Sequence, residues 1–365
     1  MKILKKIDYL LLFGIIVISS FGILMIYSSS YVWALYKFND AYKFVKTQAI
    51  FLIISYILMY VTLKIPYTNY LNKSNIIFII CTILLILVLI PGIGTVRNGS
   101  RSWFGIGGFG IQPSEFTKLG MIIFSSKYLA FNEKNLKDIK KGLLPILSTL
   151  ILVFGLIMLQ PDFGTGVIIV MSIIGLLFIS GVPMGFFIKL GLLGLLGVVG
   201  LIIAAPYRMK RIVSFLNPWS DPLGSGFQII QSLYAIGPGG LLGLGFGNSI
   251  QKHFYLPEPQ TDFIFAIISE EFGFMGILFV SSIFLLIIYR GFRIAINCQN
   301  KFGKYLAFGI TFQLSFQCLL NLMVVVGLIP VTGVTLPFLS YGGSSLLITM
   351  FSMSILLNIS KYNFE

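Results

Sequence analysis

PYRMKRIVSFLNPWSDPLGSGFQIIQSLYAIGPGGLLGLGFGNSIQKHFYLPEPQT, residues 206–261, runs directly into Asp262 and then FIFAIISEEFGF, residues 263–274. It carries Arg208, Lys210, Arg211 and Lys252, the chain's only histidine (His253), the acids Asp221 and Glu258, and many Pro and Gly. It is too long to be a simple turn. The chain on either side consists mainly of long apolar runs. The stretch therefore reads as one large polar connection set among membrane helices, and it is the first place to look for chemistry.

Working outward, the chain has 365 residues, 57% of them hydrophobic and only 10% charged, with a mean hydropathy of +0.95. A soluble domain carries about 25% charged residues. Long apolar runs at this frequency indicate an integral membrane protein. Only helices and closed barrels cross lipid. A barrel reads as short alternating segments, and these runs are continuous, so the expected fold is all-α and polytopic. The first run, Leu10 to Tyr27, is long and lacks a small-residue cleavage site, so it reads as a span rather than a signal peptide. The net charge of +14 fits positive inside loops and anionic lipid, not nucleic acid. Cys81, Cys298 and Cys318 are scattered and predict neither a metal site nor a disulfide framework.

Ten spans are expected, near 10–30, 44–63, 74–91, 113–131, 143–160, 164–181, 186–205, 263–289, 304–328 and 338–358. With both termini in the cytoplasm, the inside segments hold 16 Lys and Arg and the outside segments nine, which is the favoured orientation. The 206–262 stretch then becomes a large extracellular loop between the seventh and eighth helices, inside a single membrane domain spanning 1–365.

Smaller connections carry candidates too. Pro91 to Gln112 is Gly-rich and holds Arg97, Arg101 and Trp103. Pro113 sits where a helix should start, with Glu115 in its first turn, and Lys118 lies three residues on along the same face. Glu115 and Lys118 read either as a structural ion pair or as substrate contacts. Asp162, in QPDFG (160–164), reads either as a helix cap or as a group lining a cavity open to the outside. Gly191, Gly194, Gly197 and Gly200 form a stripe that suits either close helix packing or a gate against lipid. Residues 330–345, with two prolines and three glycines, suggest broken or re-entrant backbone covered by protein or lining a hollow.

Asp262 is the leading catalytic candidate. Capped by Thr261, it could be an ordinary helix-start acid. Beside Phe263 and Phe265 at a water–lipid boundary, it could equally be a general base. Glu270 and Glu271 lie deeper in an apolar run, so at least one should face the protein interior. Arg101, Arg208, Lys210, Arg211 and Lys252 fall on the same side and suit a phosphate-bearing substrate, or simply anionic headgroups. Gly237-Pro238-Gly239-Gly240 is not followed by the Gly-Lys-Ser/Thr of a nucleotide loop, and the lone His with scattered Cys offers no zinc site. From the residues alone three classes stay open: an enzyme acting on a lipid-linked substrate, a transporter or flippase, and a scaffold.

Four long stretches narrow this: GSRSWFGIGGFGIQPSEFTK (99–118), QPDFGTG (160–166), residues 206–273, and PVTGVTLPFLSYGGSSL (330–346). In this order they resemble the shape, elongation, division and sporulation (SEDS) family of peptidoglycan glycosyltransferases, over nearly the whole chain. NPWSDPLGSGFQ and GNSIQK resemble the division and sporulation branch more than the rod-elongation branch.

The resemblance implies ten helices, both termini in the bacterial cytoplasm, and a large outer loop before the eighth helix. It implies lipid II as substrate, β-1,4 polymerisation, and Asp262 as the motif aspartate acting as general base. Arg101 falls in the family's GSRSW motif, and Glu115 and Lys118 in QPSEFTK, where they look like a cavity-lining pair. Arg208, Lys210 and Arg211 become candidates for the pyrophosphate. No cofactor is firmly implied; a divalent cation, Mg or Mn, is a candidate helper. The implied partner is a class B penicillin-binding protein acting as transpeptidase, with other divisome, elongasome or sporulation proteins. A lipid II flippase and a non-catalytic scaffold are the alternatives.

Overall fold

The computed structural model of the chain describes residues 7–97, 99–106, 109–203, 209, 213, 215–224 and 226–362. Its helices are α1 (Tyr9–Phe38), α2 (Lys43–Thr62), α3 (Thr68–Leu89), α4 (Pro113–Asn132), α5 (Leu144–Met158), α6 (Phe163–Ile179), α7 (Met184–Ile203), α8 (Phe227–Ile236), α9 (Ile264–Asn297), α10 (Lys301–Val325) and α11 (Gly343–Tyr362). Seven helical runs are long and apolar enough to cross a membrane: α1, α2, α3, Ile139–Met158 (which contains α5), α9, α10 and α11. Two shorter apolar helices, α6 and residues Met184–Gly197 of α7, stand beside them. The fold is an all-α, multi-span membrane fold, and each of the ten expected spans falls on a described helix.

The helices begin where local chemistry allows. Asp8 caps α1, accepting from Leu11 N at 3.0 Å. Asn300 caps α10 through the amides of Phe302 and Gly303, and Pro113 opens α4. α1 runs eight residues beyond its expected end, to Phe38.

The bundle is centred on α4, α10 and α11. α10 packs on α4, α6, α9 and α11, while α2 packs on α11, α3 on α4, and α1 on α9. α4 is less apolar than its neighbours because it is an interior helix: Glu115, Thr117, Lys118, Ser125 and Ser126 on it are all buried. Polar side chains at that depth are tolerated when they face protein. One end of the bundle gathers Asp8 with Arg290 and Ser360, Asn358 with Leu63 and Tyr67, and Glu133 with Lys301.

The 91–112 connection is more ordered than a Gly-rich loop. It holds a three-stranded antiparallel sheet, β1 (Thr95–Arg97), β2 (Ser100–Ile106) and β3 (Phe109–Ile111), in the order β1-β2-β3. Thr95 pairs with Trp103 and Phe104 with Ile111, and Arg97 lies 5.0 Å over the Trp103 ring.

α9 is broken at Gly273, whose φ of 58° and ψ of −152° leave the helical region. The segment after α8 repairs the break. Leu244 and Gly245 N–H donate to the carbonyls of Glu270 and Glu271, while Phe274 and Met275 N–H donate to those of Gly240 and Leu241. Backbone groups freed inside lipid depth must find such partners. A Cβ on Gly273 would lie 2.5 Å from Gly243 N, so glycine is required there.

The glycine stripe of α7 packs against no other described residue. A Cβ at Gly191, Gly194, Gly197 or Gly200 would meet nothing within 4 Å, so the stripe faces away from the rest of the described chain.

Candidate active site

Asp262 lies in the turn just before α9, partly buried. The expectation that Thr261 caps the helix is not met: its hydroxyl turns back to the Glu258 carbonyl at 2.8 Å. The cap position is Phe263, without a side-chain cap, and no acid lies in the first turn. Asp262 therefore stands outside the helix it was expected to start.

Three successive carbonyls hold this turn in place. Gln260 O accepts from Tyr341 N at 2.8 Å, Thr261 O from Ser340 Oγ at 2.6 Å, and Asp262 O from Asn321 Nδ2 at 2.7 Å. The donors come from α10 and the 326–342 connection. That connection is non-helical, and its stretch 334–340 is mostly buried, as expected for broken backbone at this depth. Gln48, fully buried on α2, donates to Ser340 O and accepts from Gly342 N. A Cβ on Gly22 would lie 2.3 Å from the Phe338 carbonyl, so the connection returns to a point about 20 Å along α1.

A second polar cluster lies against the same connection. Glu115 Oε1 pairs with Lys118 Nζ at 2.9 Å, both buried. Lys118 Nζ also donates to Gln317 Oε1 at 2.9 Å, and Gln317 Nε2 to Thr335 O at 3.0 Å. Asp162 does cap α6, accepting from Thr165 N at 3.2 Å. Its other oxygen accepts from Gln112 Nε2 at 3.0 Å. Burial raises the Asp162 carboxyl above its ordinary range, against the lowering effect of Thr165; the Glu115 charge raises it and Lys118 lowers it. Two turns of chain join this cluster to Asp262. A Cβ on Gly164 would lie 2.7 Å from Thr332 O, and one on Gly333 would lie 3.8 Å from Asp262 Oδ2. Residues 332–334 thus have Asp162's helix on one side and Asp262 on the other.

Arg101 sits on β2, half-buried, with Nη1 3.5 Å from Leu89 O. The neighbouring Ser100 hydroxyl donates to the Gln160 carbonyl, which ties the sheet to the Asp162 turn. Arg208, Lys210 and Arg211 lie outside the described residues. Lys252 departs from the reading as an outward cation: its side chain is fully buried, 2.8 Å from Glu271 Oε1 and 3.3 Å from Ser28 Oγ, beneath the Tyr31 ring. Glu271 needs a counter-charge at that depth, and Lys252 supplies it. Glu270 accepts from Ser249 Oγ at 2.5 Å and Ile250 N at 2.8 Å. Both acids face inward and clamp the 249–252 turn onto α9.

Gln112, Gln317, Asn321 and Ser340 escaped the sequence reading. Gln317 and Asn321 had a legible signal: two amides one turn apart within an apolar run are costly unless paired inside. Among the described residues no three His, Cys, Asp or Glu side chains converge to hold a metal ion.

The chain matches the family model FTSW_RODA_SPOVE, described as "Cell cycle protein", over residues 9–365. It is 51% identical over 356 residues to the stage V sporulation protein E of Bacillus subtilis, covering 98% of this chain and 97% of that protein. It is 42% identical over 357 residues to a probable peptidoglycan glycosyltransferase FtsW of Trichlorobacter lovleyi, covering 98% and 94%. Among solved structures, a chain from work described as "Structural coordination of polymerization and crosslinking by a peptidoglycan synthase complex" superposes with a TM-score of 0.81 at 29% identity, covering 98% of this chain and 99% of that one. The rod shape determining protein RodA of Thermus thermophilus superposes with a TM-score of 0.73 at 26% identity, covering 98% of each. The chain belongs to the FTSW_RODA_SPOVE family of cell cycle proteins, the shape, elongation, division and sporulation family that its motifs resemble.

Proposed function

We propose that the chain is a peptidoglycan glycosyltransferase that polymerises lipid II into β-1,4-linked glycan strands. Asp262 takes the proton from the 4-hydroxyl of the acceptor's N-acetylglucosamine. The freed oxygen attacks the anomeric carbon of the donor N-acetylmuramic acid, the bond to pyrophosphate breaks, and undecaprenyl pyrophosphate leaves. One displacement at the α-linked donor inverts it to the β product. Cations that stabilise the leaving pyrophosphate remove the need for an acid; Arg101, with Arg208, Lys210 and Arg211, takes this role. Glu115, Lys118 and Asp162 line the neighbouring polar wall, and Lys252 holds the loop rather than the substrate.

The observation that carries this reading is the placement of Asp262. It stands ahead of its helix, is fixed through three backbone carbonyls and faces the 332–334 bend. A helix-start acid needs none of that.

The ten helices at the expected positions and the gathering of Asp8, Lys301 and Arg290 at one end support ten spans in one membrane domain. They also support both termini in the cytoplasm of a bacterium and residues 206–262 as the extracellular loop. The crosslinking coupled to polymerisation in the related synthase complex supports a class B penicillin-binding protein as partner. Other division, elongation or sporulation proteins would join it.

The test is strand synthesis from labelled lipid II in liposomes, with the transpeptidase partner, by the native chain, Asp262→Ala and Asp262→Asn. Long strands from the native chain and none from either folded variant are expected. Equal strands from all three would overturn Asp262 as base. Lipid II crossing the membrane without polymer from any of them would replace this reading with the flippase.

A further inference from the structure

Asn321 stands on α10 and is almost completely buried. Its Nδ2 donates to two carbonyls at once: Asp262 O at 2.7 Å and Val334 O at 2.8 Å. These belong to two walls of chain that meet in van der Waals contact, since a Cβ on Gly333 would lie 3.8 Å from Asp262 Oδ2. From this geometry we infer that Asn321 is a positioning residue for glycosyl transfer, setting the separation between the Asp262 carboxylate and the 332–334 bend. The inference rests on the reading of Asp262 as base.

The other bonds on this turn cannot do the same work. Gln260 O and Thr261 O are held by Tyr341 and Ser340, which belong to the connection itself and move with it. Ala266 N–H goes to the Phe263 carbonyl, so the first turn of α9 does not take charge of Asp262 O. Asn321 comes from a central helix of the bundle and ties both walls to it. One turn earlier on the same face, Gln317 holds Thr335 O and accepts from Lys118. Two amides of α10 therefore grip successive carbonyls, 334 and 335, and Gln317 also accepts from the Glu115–Lys118 pair through Lys118.

Simple filling of space does not account for the residue. A leucine has the same branched arrangement of heavy atoms and no desolvation penalty inside lipid depth. Asn321 Oδ1 is buried with no hydrogen-bond partner among the described residues. The amide is kept there at a polar cost, and the use found for it is the pair of bonds from Nδ2.

The experiment measures kcat and KM for strand synthesis from labelled lipid II, with the transpeptidase partner present. It uses the native chain, Asn321→Leu, Asp262→Asn and the double variant. Asn321→Leu with a native melting temperature is expected to lower kcat about a hundredfold, the scale of a 1 Å misplacement. Its KM is expected to stay within about threefold of native. Asp262→Asn and the double variant, both expected to make no strands, set the floor of the assay. Where Asn321→Leu does not reach the native melting temperature, Asn321→Ser, too short to bridge both carbonyls, takes its place with the same readouts. A native kcat or a change confined to KM overturns the inference alone. Native turnover by Asp262→Asn overturns the reading beneath it.

Discussion

Lys252 Nζ lies 2.8 Å from Glu271 Oε1 with both side chains fully enclosed, and the pair joins the segment between α8 and α9 to the interior of the protein. Ser28 on α1 donates to both Glu271 oxygens and so locks a third element to the same point. Lys252→Met leaves an uncompensated buried carboxylate and is expected to lower stability by about 3–5 kcal/mol. Adding Glu271→Gln to it should recover most of that, since the amide oxygen still accepts from Ser28. Thermal unfolding of the detergent-solubilised protein measures both.

The Glu115–Lys118 pair should respond asymmetrically. Glu115 Oε2 is buried with no hydrogen-bond partner among the described residues, whereas Lys118 has Gln317 as a second acceptor. Lys118→Met strips Glu115 of its counter-charge and should cost about 3–5 kcal/mol. Glu115→Gln leaves Lys118 bonded to Gln317 and should cost clearly less. Melting temperatures of the two variants decide the order.

Asp162 gives a pH signature. Burial raises its carboxyl in the folded protein, so folding favours the protonated form. Its stabilising contribution is full below the ordinary carboxylate value of about 3.9 and is lost as pH rises through the raised folded value. Native protein should therefore lose stability relative to Asp162→Asn across that window. Asp162→Ala, which removes the helix cap, should lie about 1 kcal/mol below Asp162→Asn. Unfolding temperature measured against pH for the three proteins is the check.

Gly273→Ala places a Cβ 2.5 Å from Gly243 N and 2.6 Å from Gly239 O, at a φ of 58°. Strain alone accounts for about 1–3 kcal/mol, and displacement of the 240–245 strap adds to it. Faster hydrogen exchange at the amides of Leu244 and Gly245 should accompany the loss, because their acceptors are the Glu270 and Glu271 carbonyls.

The helices were legible because a span is written in long apolar runs, and among the described residues seven helical runs are long and apolar enough to cross a membrane. The sheet at 95–111 was not, because its strands are three to seven residues long and interleaved with glycine, too short for alternation to register. Asp262 and Asp162 were legible as acids at the edges of apolar runs, and the Glu115–Lys118 pair as charges at the start of one. The fate of Lys252 was not: only the fold reveals that Glu271, 19 residues later, requires it. The bonds on the carbonyls of residues 260–262 left no trace at those positions, since backbone acceptors are the same in every residue; the signal sat instead at Gln317, Asn321 and Ser340.

The break in α9 also bears on the order of assembly. The strap that completes the helix, residues 240–245, precedes Gly273 by roughly 30 residues in the chain. Closing a loop of that length carries a small entropic penalty. The ribosome makes the strap first, so the acceptors and donors that α9 lacks at its break already exist when α9 emerges. A circular permutant opened between residues 248 and 262 would reverse that order. It would present α9 with a gap in its hydrogen-bond ladder throughout insertion, and is expected to give less correctly inserted protein than a permutant opened at 298–300.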